Sequence, residues 1–363
     1  MSSSWGQYLK LSLFGQSHGE AIGVTLDGLP AGMEIDMPRL LAEMARRAPG
    51  QSLLTTARKE ADAPEFLSGV LNGRTTGQPI CLVIRNTNQH SRDYGDGVDL
   101  VRPGHADYTG HVRYFGFEDW RDGGSFSGRL TAPIVAAGAL CSQWLESHGV
   151  SIACHVQQLG SVRDASFMDC DPAADYSYMK QMHLPVLNPD MDKQMEQEAM
   201  QAREGGDSIG GVLECMITGL PAGLGAPFFD SVESTISHLL FSVPAVKGVE
   251  FGEGFGFAAM KGSEANDSFR MEEGRVVTTT NHSGGVNGGI TNGMPVIFRC
   301  VIRPTPSIGK EQQTVSLRTG EDAVLAVKGR HDPCILPRAV PVIEAMAAIA
   351  VMEMWKERAA CLT

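Results

Sequence analysis

Hydrophobic and polar positions divide the chain into regular segments around one long irregular stretch. Residues 22–26 predict a short strand, closed by the turn-forming string Asp27-Gly-Leu-Pro-Ala-Gly32. Asp36 is placed to cap a helix over 38–47, which stops ahead of Pro49-Gly50. Residues 67–71 and 79–85 read as strands joined by a glycine-containing turn, suited to an antiparallel pair. Residues 131–148 predict a helix with Pro133 in its first turn and Gly149 at its end. Strands are expected at 152–159, 211–217 and 296–303, and a polar, solvated helix at 190–204 ahead of Gly205-Gly206. The last helix is expected at 340–360, with Pro341 near its start. Its centre is almost wholly apolar, so it belongs in the core.

Residues 86–128 break this rhythm. They are polar and dense in Gly, Asp, His and Arg. A loop-rich stretch of about 40 residues is costly to order unless it builds a site. One internal echo stands out. Ile22-Gly-Val-Thr-Leu-Asp-Gly-Leu-Pro-Ala-Gly32 is matched by Leu213-Glu-Cys-Met-Ile-Thr-Gly-Leu-Pro-Ala-Gly223, each a strand entering the same turn. Either two turns coincide, or residues 1–363 form a single domain of two similar halves, intimately packed.

Composition changes this picture in three respects. Glycine supplies 42 of 363 residues, without a Gly-x-y period, which suits many tight turns and close backbone approaches around a ligand. A formal charge of -12 argues against a general nucleic-acid or acidic-membrane binder, yet permits an anionic small substrate held by a local basic cluster. Eight scattered cysteines with no C-x-x-C pair suit free thiols in a reducing compartment. The first residues lack a basic segment followed by an apolar run, and no apolar run approaches 18 residues, so the cytoplasm is the expected compartment.

The candidate chemistry lies in glycine-rich patches. Phe14-Gly-Gln-Ser-His-Gly-Glu20 leaves His18 accessible, although taken alone the patch reads more readily as a loop histidine satisfied by the backbone. Arg102-Pro-Gly-His-Ala-Asp-Tyr108 offers a guanidinium for an anion, His105 for proton transfer, and an aspartate that can orient the imidazole. Arg121-Asp-Gly-Gly-Ser-Phe-Ser-Gly-Arg-Leu-Thr131 precedes a helix and can expose N–H groups to an anion, or be a plain turn. Gly329-Arg-His-Asp-Pro-Cys334, followed by Arg338, packs reactive side chains together. A metal there is the competing reading, though adjacent ligands seldom wrap one ion. Asn281-His-Ser-Gly-Gly-Val-Asn-Gly-Gly-Ile290 permits close packing against a flat ring. There is no G-x-S-x-G, kinase, H-E-x-x-H, P-loop or dinucleotide motif. The residues favour an enzyme acting on a polyanionic small molecule, with lyase or transferase chemistry open, against a binding protein that uses its glycines only as turns.

The ordered set Phe14-Gly-Gln-Ser-His-Gly19, Pro49-Gly-Gln-Ser52, Thr55-Thr-Ala-Arg-Lys-Glu60, Ser68-Gly-Val70, Arg85-Asn86, Arg102-Pro-Gly-His-Ala-Asp107, Val246-Lys-Gly-Val-Glu250 and Gly329-Arg-His-Asp-Pro-Cys334 resembles the chorismate synthase family over nearly the whole chain. The resemblance implies an α+β fold, a layered sandwich of helices and antiparallel sheets, assembled as a homotetramer. It implies conversion of 5-enolpyruvylshikimate-3-phosphate to chorismate and phosphate by anti-1,4-elimination with reduced FMN. With no dinucleotide fingerprint in the chain, a separate flavin reductase or a reduced-flavin pool is expected to supply the reduced flavin, with NADPH an indirect reductant. By the same carry-over, His18 would act on the departing phosphate, His105 at the flavin N1/O2 edge and Asp332 near flavin N5. Arg39, Arg47, Arg102, Arg129 and Arg338 would bind the substrate's phosphate and carboxylates. Ser125, Phe126, Ser127, Pro244, Ala245, Gly288, Arg303, Pro304, Thr305, Pro306, Ser307 and Arg330 would contact FMN, and no metal is implied.

The chain departs from the family pattern beside the expected flavin. Gly-Gly-Arg-Ser-Ser-Ala-Arg-Glu-Thr appears as Gly123-Gly-Ser-Phe-Ser-Gly-Arg-Leu-Thr131, so Ser125 replaces an arginine and Leu130 a glutamate, while Arg129 persists. Gln16 replaces a glutamate, Arg303 keeps the charge of a lysine, and Leu53 stands where many bacterial members carry another arginine. These changes bear on FMN affinity and NADPH contact more than on the reaction. The alternative is a diverged paralogue that binds flavin and a phosphorylated carboxylate with reduced or altered activity.

Overall fold

The structure, a computed structural model, describes residues 3–50, 62–86, 99–327 and 332–361. Strands β1 (Ser4–Trp5), β2 (Lys10–Gly15), β3 (Ala21–Asp27), β4 (Pro64–Ser68) and β5 (Ile80–Arg85) form an antiparallel sheet in the order β1-β2-β3-β5-β4. Between β3 and β4 runs α1 (Met37–Arg47), capped by Asp36, whose carboxylate accepts from Arg39 N–H at 3.0 Å. Then follow α2 (Asp107–Tyr114), α3 (Thr131–Ser147), β6 (Ser151–Leu159), β7 (Val162–Arg163), α4 (Pro189–Glu204), β8 (Gly211–Thr218), α5 (Val232–Ser242), β9 (Val246–Phe251), β10 (Val296–Ile302) and α6 (Leu336–Cys361). The later strands form a second antiparallel sheet, β9-β10-β8-β6-β7.

Alternation sets which face of each sheet is buried. Ile22, Val24 and Leu26 of β3 lie opposite Ile84, Leu82 and Ile80 of β5, and all six are at most 1% exposed. Leu213, Cys215 and Ile217 of β8 meet Cys300, Phe298 and Val296 of β10 in the same way. Each large apolar side chain removed from water this way stabilises the fold by about 1.5–3 kcal/mol. Both apolar faces pack on α1, α3, α5 and α6 in one continuous core.

Helix α6 is buried through its middle turns, as its apolar centre predicts. Its two buried acids are both engaged. Glu344 pairs with Arg46 of α1 (2.5 Å), and Glu353 accepts from the N–H groups of Gln7 (2.7 Å) and Leu9 (2.5 Å), tying the first sheet to the helix. The helix begins four residues earlier than Pro341 suggested. Pro337 occupies its first turn, and Pro341 sits inside, where it forgoes one helical hydrogen bond.

The sequence echo falls on corresponding places. β3 and β8 are the central strands of their sheets, and both Gly-Leu-Pro-Ala-Gly turns use positive φ at their glycines (Gly28 110°, Gly32 82°; Gly219 78°, Gly223 101°). The order β2, β3, α1, β4, β5, α3 has the counterpart β6, β8, α5, β9, β10, α6, with matching neighbours in each sheet.

Candidate active site

The glycine-rich patches, far apart in sequence, meet where strands and helices begin or end. The β2–β3 connection carries His18, which is 8% exposed. Its backbone is held from two sides. Ser17 N–H donates to Gly124 O (3.1 Å), and the Asn86 amide donates to Gln16 O (3.1 Å) and Gly19 O (2.8 Å). Asn86 directly follows β5, so the central strands of the first sheet fix both the loop and its clamp.

From Asn86 the hydrogen bonds pass through arginines. Asn86 Oδ1 accepts from Arg129 Nε (2.6 Å), and Arg129 Nη1 donates to Asp62 Oδ1 (2.7 Å). Asp62 Oδ2 accepts from Nη1 of Arg47 (2.7 Å), the last residue of α1. Arg47 also donates to Thr131 Oγ1 and Gly128 O, both at 3.1 Å. Its carbonyl accepts from Arg338 Nε (3.1 Å), and Arg338 Nη1 donates to Asp332 Oδ2 (2.5 Å). Asp332 O accepts from Thr305 Oγ1 (2.8 Å). Two residues back, Arg303 donates from Nη1 to Gly104 O (2.8 Å) and from its N–H to Ala245 O (2.9 Å). His105 comes next, and its Cε1 and Nε2 lie 3.1 and 3.3 Å from where a Cβ on Gly123 would stand. Gly124 returns to the His18 loop. The contacts close a ring.

Within it, Asp107 clamps its neighbours. Its carboxylate accepts from Arg102 N–H (2.9 Å), Nε (2.8 Å) and Nη2 (2.7 Å), and faces His105 Nδ1 at 2.6 Å. Burial opposes the ionised carboxylate, but the hydrogen bonds from Arg102 and His105 outweigh it and hold the group well below the usual range. Near His18 stands Asp119, bonded by Arg121 Nε and Nη2 (both 2.8 Å). Those bonds lower its pKa, with a smaller contribution from the His18 charge.

Some expected residues lie elsewhere. Arg39 pairs with Glu146 of α3, about 12 Å of helix away from Arg47. Gly288 sits in the hairpin of 286–287 with 290–291, ahead of β10, whereas Ala245 and Arg303 lie past its other end, a strand length of about 20 Å. Arg47 is 2% exposed and engaged by protein groups, so it braces the site from behind. Phe126 packs its ring against α2, where a Cβ on Gly110 would come within 2.6 Å of it, and tilts against Tyr114 with centroids 6.1 Å apart. Ser125 is exposed and Ser127 half-buried. Pro244 and Ala245 adjoin the 303–307 segment, with Ala245 at φ 76°. Arg330, His331, Leu53 and residues 55–60 lie outside the described residues. Cys334 is fully buried, and burial pushes its thiol up to about 12.

The sequence reading passed over Asp62 and Asp119 and gave Asn86 no role. An isolated acid carries no local signal, and Asp62 finds its arginines 15 and 67 positions away. Asn86 at the end of a strand in a polar stretch was the one visible hint.

The chorismate synthase family model matches residues 9–355. A chorismate synthase of Dehalococcoides mccartyi is 43% identical over 354 residues, covering 98% of this chain and 96% of that one. One from Methanosarcina mazei is 44% identical, covering 95% of this chain and 93% of its own. A solved structure described as the crystal structure of chorismate synthase superposes with a TM-score of 0.77 at 30% identity, covering 98% of this chain and 93% of the other.

Proposed function

The chain belongs to the chorismate synthase family, and we propose on that premise that the ring of contacts around His18, His105 and Asp332 is where it works. The reaction is the conversion of 5-enolpyruvylshikimate-3-phosphate to chorismate and phosphate. The observation that carries the siting is the closed circuit itself, which gathers four remote loops onto one set of guanidinium and imidazole groups.

The residues fit a flavin mononucleotide. Ser125, Ser127 and Arg303 offer hydroxyl and guanidinium donors for an anionic tail, and Gly123, at φ 81°, brings backbone close to His105. When bound, reduced FMN supplies the transient electron that loss of phosphate and hydrogen from opposite faces requires. His18, in its buried loop, holds a proton for the departing phosphate. His105 presents a ring nitrogen for a proton at the flavin N1/O2 edge, and Asp332 takes part in proton removal near N5. Arg102, Arg129 and Arg338 meet the substrate's phosphate and carboxylates. Arg47 holds Asp62 and Gly128 in place behind them.

Reduced flavin comes from a separate reductase in this reading, which the absence of a dinucleotide fingerprint in the sequence supports. The homotetramer suits the aromatic side chains left in solvent, among them Phe117 (91% exposed) and Phe228 (91%). The cytoplasm remains the proposed compartment.

The test is anaerobic turnover of 5-enolpyruvylshikimate-3-phosphate with chemically reduced FMN. Chorismate and phosphate should appear together, and oxidised FMN should give none. His105→Ala and His18→Ala should keep the fold and lower kcat by about 10²–10⁴-fold each. Unchanged turnover in either variant removes that residue from the chemistry.

A further inference from the structure

We propose that Asp107 is the positioning residue that fixes the tautomer of His105, placing hydrogen on Nδ1 and presenting Nε2 to the reacting groups. The inference rests on the siting of the reaction at this ring. Two neighbours compete for Nδ1. Asp107 Oδ1 stands at 2.6 Å and Arg102 Nη2 at 3.1 Å. If Arg102 were the partner, Nδ1 would accept and the neutral ring would carry its hydrogen on Nε2. If Asp107 is the partner, Nδ1 must donate, because an ionised carboxylate can only accept.

The geometry decides for Asp107. Its contact is the shorter by half an ångström, and Arg102 is already committed to it. Arg102 spends its N–H, its Nε and one of the two Nη2 hydrogens on the carboxylate oxygens, and the 2.6, 2.7 and 3.1 Å separations place Oδ1 and Nδ1 on the same side of Nη2, so the second hydrogen, directed away from Oδ1, does not reach Nδ1. The 3.1 Å approach of Nη2 to Nδ1 is then two donors converging on one acceptor. Asp107 is also the first residue of α2, and the carboxylate there gains from the helix N-terminus, which helps keep it ionised. Arg102 offsets its charge, so the carboxylate directs the ring without leaving an unpaired anion in an anion site.

With Nδ1 fixed, Nε2 is the atom that gains or loses a proton. It is also the edge facing Gly123, where an added Cβ would come within 3.3 Å of it. The neutral ring accepts there and the imidazolium donates there, so a proton moves at one defined position.

Long-range proton–nitrogen correlation spectra of ¹⁵N-histidine protein test this without flavin or substrate. His105 is assigned by the signals lost in His105→Gln. At alkaline pH, where an imidazole is neutral, the wild-type protein should show Nδ1 protonated and Nε2 bearing the lone pair. Asp107→Asn should mix or reverse the tautomers and lower kcat by about 10²–10⁴-fold, while any rise in KM reports the loosened Arg102 and not the ring. Asp107→Glu should restore the Nδ1–H signature in part. A wild-type ring protonated on Nε2, or an Asp107→Asn protein with an unaltered tautomer, overturns the proposal. A wild-type protein with the expected tautomer and no turnover would instead fault the siting of the reaction, so the two failures are distinguishable.

Discussion

Replacing Gly138 by alanine should destabilise this protein, although the same exchange in a helix interior ordinarily helps. Gly138 lies in the middle of α3, and a Cβ there would stand well inside contact distance of Cβ and Cα of Ala345 in α6, and 2.9 Å from its carbonyl carbon. Carbon atoms pack best at about 3.5–4.0 Å, so the helices must part by about 1 Å or slide. The obstacle is backbone, and no rotamer change relieves it. Alanine gains about 1 kcal/mol in helix propensity over glycine. Overpacking costs about 1–3 kcal/mol, and a backbone clash between two buried helices belongs at or above the upper end. The net loss is about 2 kcal/mol, which for a chain of this size lowers Tm by about 3 °C. Activity should fall as well. Arg129 and Thr131 lie at the start of α3, about 10 Å from Gly138, and Asp332 and Arg338 lie around the start of α6. A misplacement of about 1 Å between those groups can cost about 10²-fold in kcat/KM. Circular-dichroism melting and steady-state kinetics read both effects. An unchanged or raised Tm would refute the packing argument. A lowered Tm with full kcat/KM would show that α3 and α6 do not set the spacing of the site.

Two further predictions concern His155 and Ser125. In the second sheet, His155 bridges Asp164 (3.2 Å) and Glu214 (3.0 Å) with no solvent exposure. Burial lowers its pKa, but the two carboxylates outweigh that and raise it. Its stabilising contribution is therefore full below the unfolded value of about 6.5 and is lost as pH rises through the folded value. The Tm advantage of wild type over His155→Gln should accordingly shrink on the alkaline side, and a difference that does not vary with pH would contradict the charged bridge. At the proposed flavin site, Ser125→Arg should restore a cation and tighten FMN by about 10–100-fold, the worth of a charged hydrogen bond of about 1.5–3 kcal/mol. Fluorescence titration checks it, and unchanged affinity would show that this segment does not reach the cofactor's tail.

What could be read in advance follows how local the physics is. Helix α1 announced itself through Asp36 and Pro38, and the strands through their period of two. Helix α2 did not, because its eight residues leave Tyr108 and Val112 in solvent and offer no inward stripe. Helix α5 was legible and missed: Val232, Thr235, Ile236, Leu239 and Leu240 keep a helical period behind the Ser231 cap. For the site, motif order singled out His18, His105 and Asp332, but no local rule separates Arg39 from Arg47. Both sit on one helix, and their roles differ because Glu146 meets one end and Asp62 the other. Pairings across dozens of residues belong to the tertiary fold.

On the proposed siting, those pairings would also let an acidic protein hold a polyanion. The chain carries a formal charge of -12, yet the ring gathers Arg47, Arg102, Arg129, Arg303 and Arg338 against Asp62, Asp107 and Asp332. Five cations and three anions leave the described ring with an excess of two positive charges, counting histidines as neutral. Surface charge beyond about 8 Å is screened at physiological salt, so the acidic exterior weighs little against groups in contact with the ligand. The three aspartates do not cancel the site's purpose. Among the described residues each binds an arginine and at least one further group: Asp62 a second arginine, Asp107 the His105 ring, and Asp332, through its carbonyl, Thr305. A guanidinium held on one edge presents its remaining donors in a fixed direction and loses less freedom when a phosphate or carboxylate arrives. Binding at this ring is thus expected to weaken only modestly with added salt compared with an exposed basic patch, because its charges are partly buried and already oriented.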